Sequence, residues 1–348
     1  MQQISRQEQM LKIFCLVVIY GLLKVGSPKT LDALDYDIYG ERLAINEYFG
    51  VLADNDLEQF QIFYSIYSSN TCIQSLNYLY FDQYIYSVAV GSRQNASQYY
   101  FAYIGEYENM TSQTFFGFQT MTNCNVSQGH NIIINLNEKY QRNSIIGIDP
   151  YGTLVFVVSS TQVFCFNINS GLMNELTITF PFPWQYSPRS IVVDEHQIAH
   201  TIGYFCQQEF RCYIDFLQIS IDSLISTLKY TKQILSNNDI HSGRLFESTS
   251  PMTDMSLSMN IDLKIFLVGI PYDNTIYIYN YSTNGTYSLM SSLTYNQVGA
   301  GFGKSVAWLD NETIAILAYS LPTLPWSTSQ IQVNIFFFFF FNIPMLFI

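Results

Sequence analysis

Gly299-Ala-Gly-Phe-Gly-Lys-Ser-Val-Ala-Trp-Leu-Asp-Asn-Glu-Thr-Ile-Ala-Ile-Leu-Ala318 decides the fold, because weaker versions of it recur upstream. Its core is a serine, an apolar run, an acidic turn and a second apolar run. The same order occupies 144–158 (Ser144, turn acid Asp149), 190–202 (Ser190, Asp194) and 305–318 (Ser305, Asp310), with a degenerate copy at 255–268 around Asn260. Each acid falls four or five residues after its serine and just before the next apolar run. Asp, Asn, Pro and Gly favour turns there, so each copy predicts a β-hairpin. Asp149 and Asp194 lie 45 residues apart, and Asn260 and Asp310 lie 50 apart, a spacing that predicts the blades of a β-propeller.

The rest of the composition agrees with an all-β chain. There are 27 Tyr and 27 Phe alongside abundant Ile, Val and Thr, and no long stretch carries apolar spacings of three and four. The segment 28–334 is the expected propeller, and at roughly 45 to 50 residues per blade it holds six to seven four-stranded blades. The last of these is expected to be cut short at the C-terminus.

The two ends read differently. Lys12 precedes the uncharged apolar run 13–23, too short to span a bilayer comfortably and of ordinary length for a secretory signal. Residues 1–27 are therefore a signal peptide, or alternatively an N-terminal anchor. Residues 335–348 form an apolar tail with the run Phe336 to Phe341 and no charge. It is shorter than the roughly 20 residues of a spanning helix, which leaves an anchor, a cut-off membrane segment or a gene-model artefact. Membrane attachment is open at either end.

The formal net charge is −12 in a chain only 12% charged. Such diffuse acidity excludes nucleic-acid phosphates, which need clustered Lys and Arg. Asp32, Asp35, Asp37, Asp54 and Asp56 make 28–58 the most acidic stretch, read as a solvated face of the first blade.

Export is supported by N-glycosylation sequons at Asn95, Asn109, Asn125, Asn280, Asn284 and Asn311, five of them in or beside polar connections. Of the six cysteines, Cys15 lies in the signal. Cys206 and Cys212 have the spacing to staple a hairpin, a bridge worth roughly 2 to 3 kcal/mol if unstrained. Cys72 with Cys124 is the next expected pair. Cys165, within the apolar run 163–166, then reads as a buried free thiol.

Walking along the chain, the first blade covers 36–71 and the second 72–124, with 91–98 as a hairpin loop. The third and fourth are the Ser144 and Ser190 copies. Residues 224–244 are an inter-blade excursion or a weak blade edge. The fifth blade comprises 263–271, 275–281 and 286–293, and the Gly299 motif opens the last.

Phe302-Gly303, Ser305-Val306-Ala307 and Asp310, with Val268-Gly269-Ile270-Pro271 and Ile276-Tyr277-Ile278-Tyr279 in the preceding unit, resemble the FG-GAP repeat of integrin α-chain propellers. The likeness is clearest over 263–318. The Ser144 copy looks as much like a propeller repeat of the NHL kind. Gly299, Gly301 and Gly303 allow a close approach where one blade crosses to the next, and Phe302 is expected between neighbouring sheets. Many blades of the integrin type carry a calcium loop of several Asp and Asn after this point. Here only Asp310-Asn311-Glu312-Thr313 stands there, short of the six to eight oxygens calcium takes. No cofactor and no metal are expected.

His196 and His200 have a spacing that on a helix would face one metal, but Gln197 replaces the Glu of the zincin motif and the repeat places the segment on a hairpin. Along a strand the two rings would be roughly 13 Å apart. Nucleophile elbow, Walker loop and Rossmann fingerprint are absent from the sequence. The pairs Asp54/Asp56 and Asp194/Glu195 read as turn formers, and no catalytic residue is assigned.

The sequence therefore points to a secreted or cell-surface interaction and adhesion module that binds an extracellular protein or glycan through propeller loops. Tyr272, Tyr295 and Trp308 are candidate loop contacts, with burial between blades the preferred expectation for Trp308. The alternatives are a secreted propeller hydrolase of glycosidase type with unrecognised carboxylates, and a fragment without activity of its own.

Overall fold

The computed structural model describes residues 36–38, 41–45, 49–55, 59–64, 73–77, 83–92, 98–107, 114–122, 125–126, 130–134, 144–177, 186–208, 211–222, 227–234, 255–260, 262–271, 274–282, 285–295, 302–308, 313–320 and 335–342. Its third sheet shows how the repeat folds. β11 (Ile145–Ile148), β12 (Leu154–Val158), β13 (Gln162–Asn167) and β14 (Met173–Thr177) pair in that order, all antiparallel. The first three strands are almost entirely buried, whereas β14 alternates exposed and half-buried residues. Strands buried on both faces need a neighbouring sheet on each side.

The side chains say which neighbours. Along β12, Val155 and Val157 belong to an apolar cluster shared with the second sheet, while Leu154, Phe156 and Val158 belong to one shared with the fourth. This is the two-residue alternation of a strand used to fill two different junctions. Each fully buried Phe or Val contributes roughly 1.5 to 3 kcal/mol, so every junction is a small core of its own.

The other sheets follow the same plan. The first contains β1 (Tyr36–Ile38), β2 (Glu41–Ile45), β3 (Phe49–Asp54), β4 (Gln59–Tyr64) and β5 (Ile73–Asn77). The second contains β6 (Gln83–Ser92), β7 (Gln98–Tyr107), β8 (Thr114–Thr122) and β10 (His130–Ile134), with the two-residue β9 (Asn125–Val126) also on β8. The fourth is β15 (Tyr186–Val193), β16 (Ala199–Gln208), β17 (Arg211–Asp222) and β18 (Thr227–Ile234). The fifth is β19 (Ser256–Asn260), β20 (Ile265–Ile270), β21 (Thr275–Tyr281) and β22 (Tyr287–Thr294). The sixth is β23 (Ser305–Trp308), β24 (Thr313–Ser320) and β25 (Ile335–Asn342).

Five apolar clusters fill the five junctions between successive sheets. The leading strands β2, β6, β11, β15, β19 and β23 pack one against the next. This is a β-propeller, with each repeat hairpin supplying the two leading strands of its sheet.

Two sequence expectations change here and an open one is decided. Ile73–Asn77 closes the first sheet and does not open the second, because β5 pairs with β4 across Phe60 and Leu76. Of the two expectations for 224–244, the blade edge holds over 227–234, where β18 is the outer edge of the fourth sheet. The Phe run was set apart as a tail beginning at residue 335, yet Ile335–Asn342 pairs residue for residue with β24. Those residues belong to the sixth sheet, which at three strands is the shortest of the six described.

Candidate functional site

The turn acids do more than close hairpins. Asp149 is fully buried, and its carboxylate accepts from Thr153 N–H (2.6 Å), Leu154 N–H (2.8 Å) and the Thr153 hydroxyl (2.7 Å). Gln197, in the equivalent turn of the next sheet, donates its Nε2 to Asp149 (3.0 Å) and to the Thr153 hydroxyl (2.8 Å). Gln197 itself has φ 62°, a left-handed conformation that a non-glycine residue rarely adopts, held here by these contacts. The third and fourth sheets are thus tied together at this end.

Asp194 repeats the device with one change. One oxygen accepts from His196 N–H (2.9 Å) and Ile198 N–H (2.8 Å), and the other faces His200 Nε2 at 3.2 Å. His200 Nδ1 lies 2.6 Å from the Tyr287 hydroxyl on β22 of the fifth sheet. The Asp194 carboxylate can only accept, so Nε2–H donates to it, and Nδ1 is left to share a hydrogen bond with the Tyr287 hydroxyl. All three side chains are buried.

Aromatic rings seal this line. The Tyr287 ring stacks on Phe216 at 4.2 Å, and the Tyr281 ring meets His200 edge-on at 4.9 Å. Gln218 Nε2 donates to the Tyr281 hydroxyl. Burial raises the Tyr281 pKa, and the Asp194 charge adds to the rise against the opposing Gln218 hydrogen bond. Chemically, Asp194, His200 and Tyr287 form a proton-relay geometry, but one whose reactive atoms are all enclosed between two sheets.

At the opposite end of the sheets a second device recurs. The Asn55 side chain both donates to Ile85 O and accepts from Ile85 N–H, each at 2.8 Å, pinning the start of the second sheet. Asn274 accepts from Phe302 N–H at 3.2 Å, pinning the start of the sixth. Serines bridge the leading strands as well: Ser87 Oγ accepts from Ile146 N–H and Ser258 Oγ from Trp308 N–H, both at 3.3 Å.

The residues carrying the FG-GAP likeness converge on the junction between the fifth and sixth sheets. Phe302 is buried in the cluster with Leu267, Ile276, Val306 and Ile316. Ser256 Oγ donates to Gly303 O at 3.0 Å, and a Cβ on Gly269 would stand 2.1 Å from that same oxygen. Ser305 and Pro271 are buried beside them. Gly299, Gly301 and Asp310 lie outside the described residues.

Other expected positions separate. Trp308 is buried in the same junction, so it is no loop contact, and Tyr295 is half-buried against Phe302. His196 is exposed in the β15–β16 turn while His200 is enclosed. Among the described residues no three His, Cys, Asp or Glu side chains come together as a metal site. Cys165 is a buried free thiol, its pKa pushed up to about 12 by burial and then by the Asp149 charge. Cys206 and Cys212 stand directly opposite each other in the β16–β17 register. Asn125 lies in β9, and Asn280 stands half-buried in β21 between Ile265 and Ser288, in a strand and not a connection. Tyr272, Asn95, Asn109, Asn284, Asn311, Cys72 and Cys124 lie outside the described residues.

No protein-family model matches the chain, and no curated protein matches it in sequence. Among solved structures it is similar to a NanB sialidase mutant from Streptococcus pneumoniae, with TM-score 0.51, 8% identity, and coverage of 84% of this chain and 66% of that one. It is also similar to a protein of unknown function from Desulfotomaculum acetoxidans, with TM-score 0.44, 11% identity, and coverage of 77% and 71%. A candidate 6-phosphogluconolactonase from Bacteroides uniformis matches at TM-score 0.44 and 11% identity, with coverage of 72% and 70%. At these identities the sialidase likeness bears on the fold alone, and it agrees with the propeller.

Proposed function

We propose that the chain is a secreted or cell-surface interaction module of FG-GAP-like type, binding an extracellular protein or glycan through the turns at the ends of its sheets. The observation that carries this reading is where the repeat residues go. Asp149, Asp194, His200, Tyr287, Phe302 and Gly303 all serve junctions between sheets. The repeat thus builds a stiff frame, and what differs from sheet to sheet is the turns it displays.

A second reading, a propeller hydrolase, is favoured by the Asp194–His200–Tyr287 line alone. Enclosure weighs against it, since a nucleophile or general acid must reach substrate.

Expression in a eukaryotic secretory host tests the proposal. The expected product is in the medium, loses mass on N-glycosidase treatment, and yields a Cys206–Cys212 peptide on non-reducing mapping. It leaves aryl glycosides unhydrolysed. A cytosolic product of unshifted mass contradicts export. Glycoside turnover that disappears in a folded Tyr287→Phe variant replaces the binding reading with the hydrolase.

A further inference from the structure

Each sheet ends on an outer strand with one unpaired edge, and such an edge accepts a further strand unless shortness, charge or a bulge blunts it. Among the described sheets, five outer strands carry one of these devices. β5 and β10 are five residues long. β14 is also five, with Glu175 in it. β18 has eight residues and includes Lys229 and Lys232. β22 has eight and no charge, but its register against β21 shifts between Ile278 and Tyr279, leaving Met290 as the extra residue of a bulge.

β25 carries none of the three. Its eight residues, Ile-Phe-Phe-Phe-Phe-Phe-Phe-Asn, hold no charge, no proline and no glycine. They pair with β24 in consecutive positions, from Ser320 with Ile335 to Thr313 with Asn342, without a shift. The sixth sheet has three strands where the third, fourth and fifth have four, and among the described residues no strand occupies the other edge of β25.

The chemistry of that edge selects its occupant. A row of backbone N–H and C=O groups calls for an extended strand. Side chains then choose which strand. Six identical residues match themselves in every register, so a slipped alignment loses nothing, and a segment without charge brings no like charges together when it meets its own copy. High β-propensity without charge or proline is the signature of segments that pair with themselves.

We infer that the outer edge of β25 pairs antiparallel with β25 of a second copy of this chain, joining the two sixth sheets into one continuous sheet across a two-fold axis. The other edge of β25 is already taken by β24, so each chain offers a single such edge and assembly closes at the dimer.

Sedimentation of the full chain, freed of N-glycans, should give twice the mass of one chain at micromolar concentration and the monomer on dilution. Hydrogen exchange on the same samples should be about tenfold slower over 335–342 in the dimer than in the diluted monomer, and unchanged over β22. Phe338 lies at the middle of β25, where a two-fold antiparallel pair brings it opposite or next to its own copy. Phe338→Lys and Phe338→Glu should each be monomeric at concentrations where the unaltered chain is paired, and an equimolar mixture should restore the dimer. Met290→Lys, on the edge of β22, should remain dimeric. A monomer at every concentration, whether the edge stays open or a strand of the same chain fills it, overturns the pairing. So does a dimer that survives both Phe338 variants, is lost in Met290→Lys, or leaves exchange over 335–342 unchanged. Open-ended assemblies overturn closure at two copies. The exchange measurement needs no variant, so it tests the pairing even where Phe338→Lys fails to fold. None of these readouts involves export, ligand binding or turnover, so the binding-module reading is judged apart from them.

Discussion

Replacing Asp194 with alanine lowers the stability of the folded chain by about 2 to 4 kcal/mol, measured by urea unfolding. Two separate losses add up. The N–H groups of His196 and Ile198 lose their acceptor, a turn-capping loss of about 1 kcal/mol. His200 Nε2–H loses its partner inside a fully buried site, which costs about 1 to 3 kcal/mol because water cannot replace the carboxylate. Asp194→Asn keeps an oxygen for the turn and should lose less. Tyr287→Phe removes one hydroxyl and keeps the ring stacked on Phe216, so about 1 kcal/mol is expected. If the fourth and fifth sheets are joined through this line, Asp194→Ala and Tyr287→Phe combine non-additively. Additive losses would mean that the line does not act as a unit.

Gly269→Ala is expected to be worse than any other single-methyl change at the described glycines of the repeat, at about 3 kcal/mol or more. The new Cβ would lie 2.1 Å from Gly303 O and 2.4 Å from Ser256 Oγ. Neither can yield cheaply. Gly303 has φ 91°, a conformation fixed by the crossing into β23, and Ser256 Oγ is already bonded to that oxygen. The fifth and sixth sheets must separate, opening the cluster around Phe302. Gly171→Ala is the comparison. Unlike Gly269 it has a positive φ, but no atom lies within 4 Å of its Cβ, so it should cost only about 1 to 2 kcal/mol. Comparable urea midpoints for the two variants would argue against close contact at the junction.

How much of this was legible depended on range. The hairpin role of Asp149, Asp194 and Asn260 is local: the acceptor and its N–H donors sit within five residues, and the pattern serine, apolar run, acid shows it. The second task of Asp194 is not legible, because Tyr287 is 87 residues from His200 and no local pattern links them. The asparagine clamps occupy a middle ground. Asn55 reaches Ile85 across 30 residues and Asn274 reaches Phe302 across 28, so a repeat alignment extended to the far end of each blade would have found both.

One misreading has an equally physical cause. A run of identical Phe residues has no alternation, so its pairing with β24 could not be seen in the sequence, and length alone set it apart. Trp308 could be read either way in the sequence because aromatic side chains serve interfaces and cores alike, and burial between blades was the preferred expectation. Its place in β23, a leading strand covered by the fifth sheet, decided for the core.

The central claim is that successive sheets pack through their leading strands around one axis, with the repeat residues in the junctions. A crystal structure of the secreted chain tests it most directly. The account predicts antiparallel sheets of three to five strands following one another around that axis, His200 bonded to Asp194 and Tyr287 across one junction, and Phe302 with Gly269 against Gly303 in another. Two stacked sheets sharing a single core, or a helical core, with those residues far apart, would contradict it.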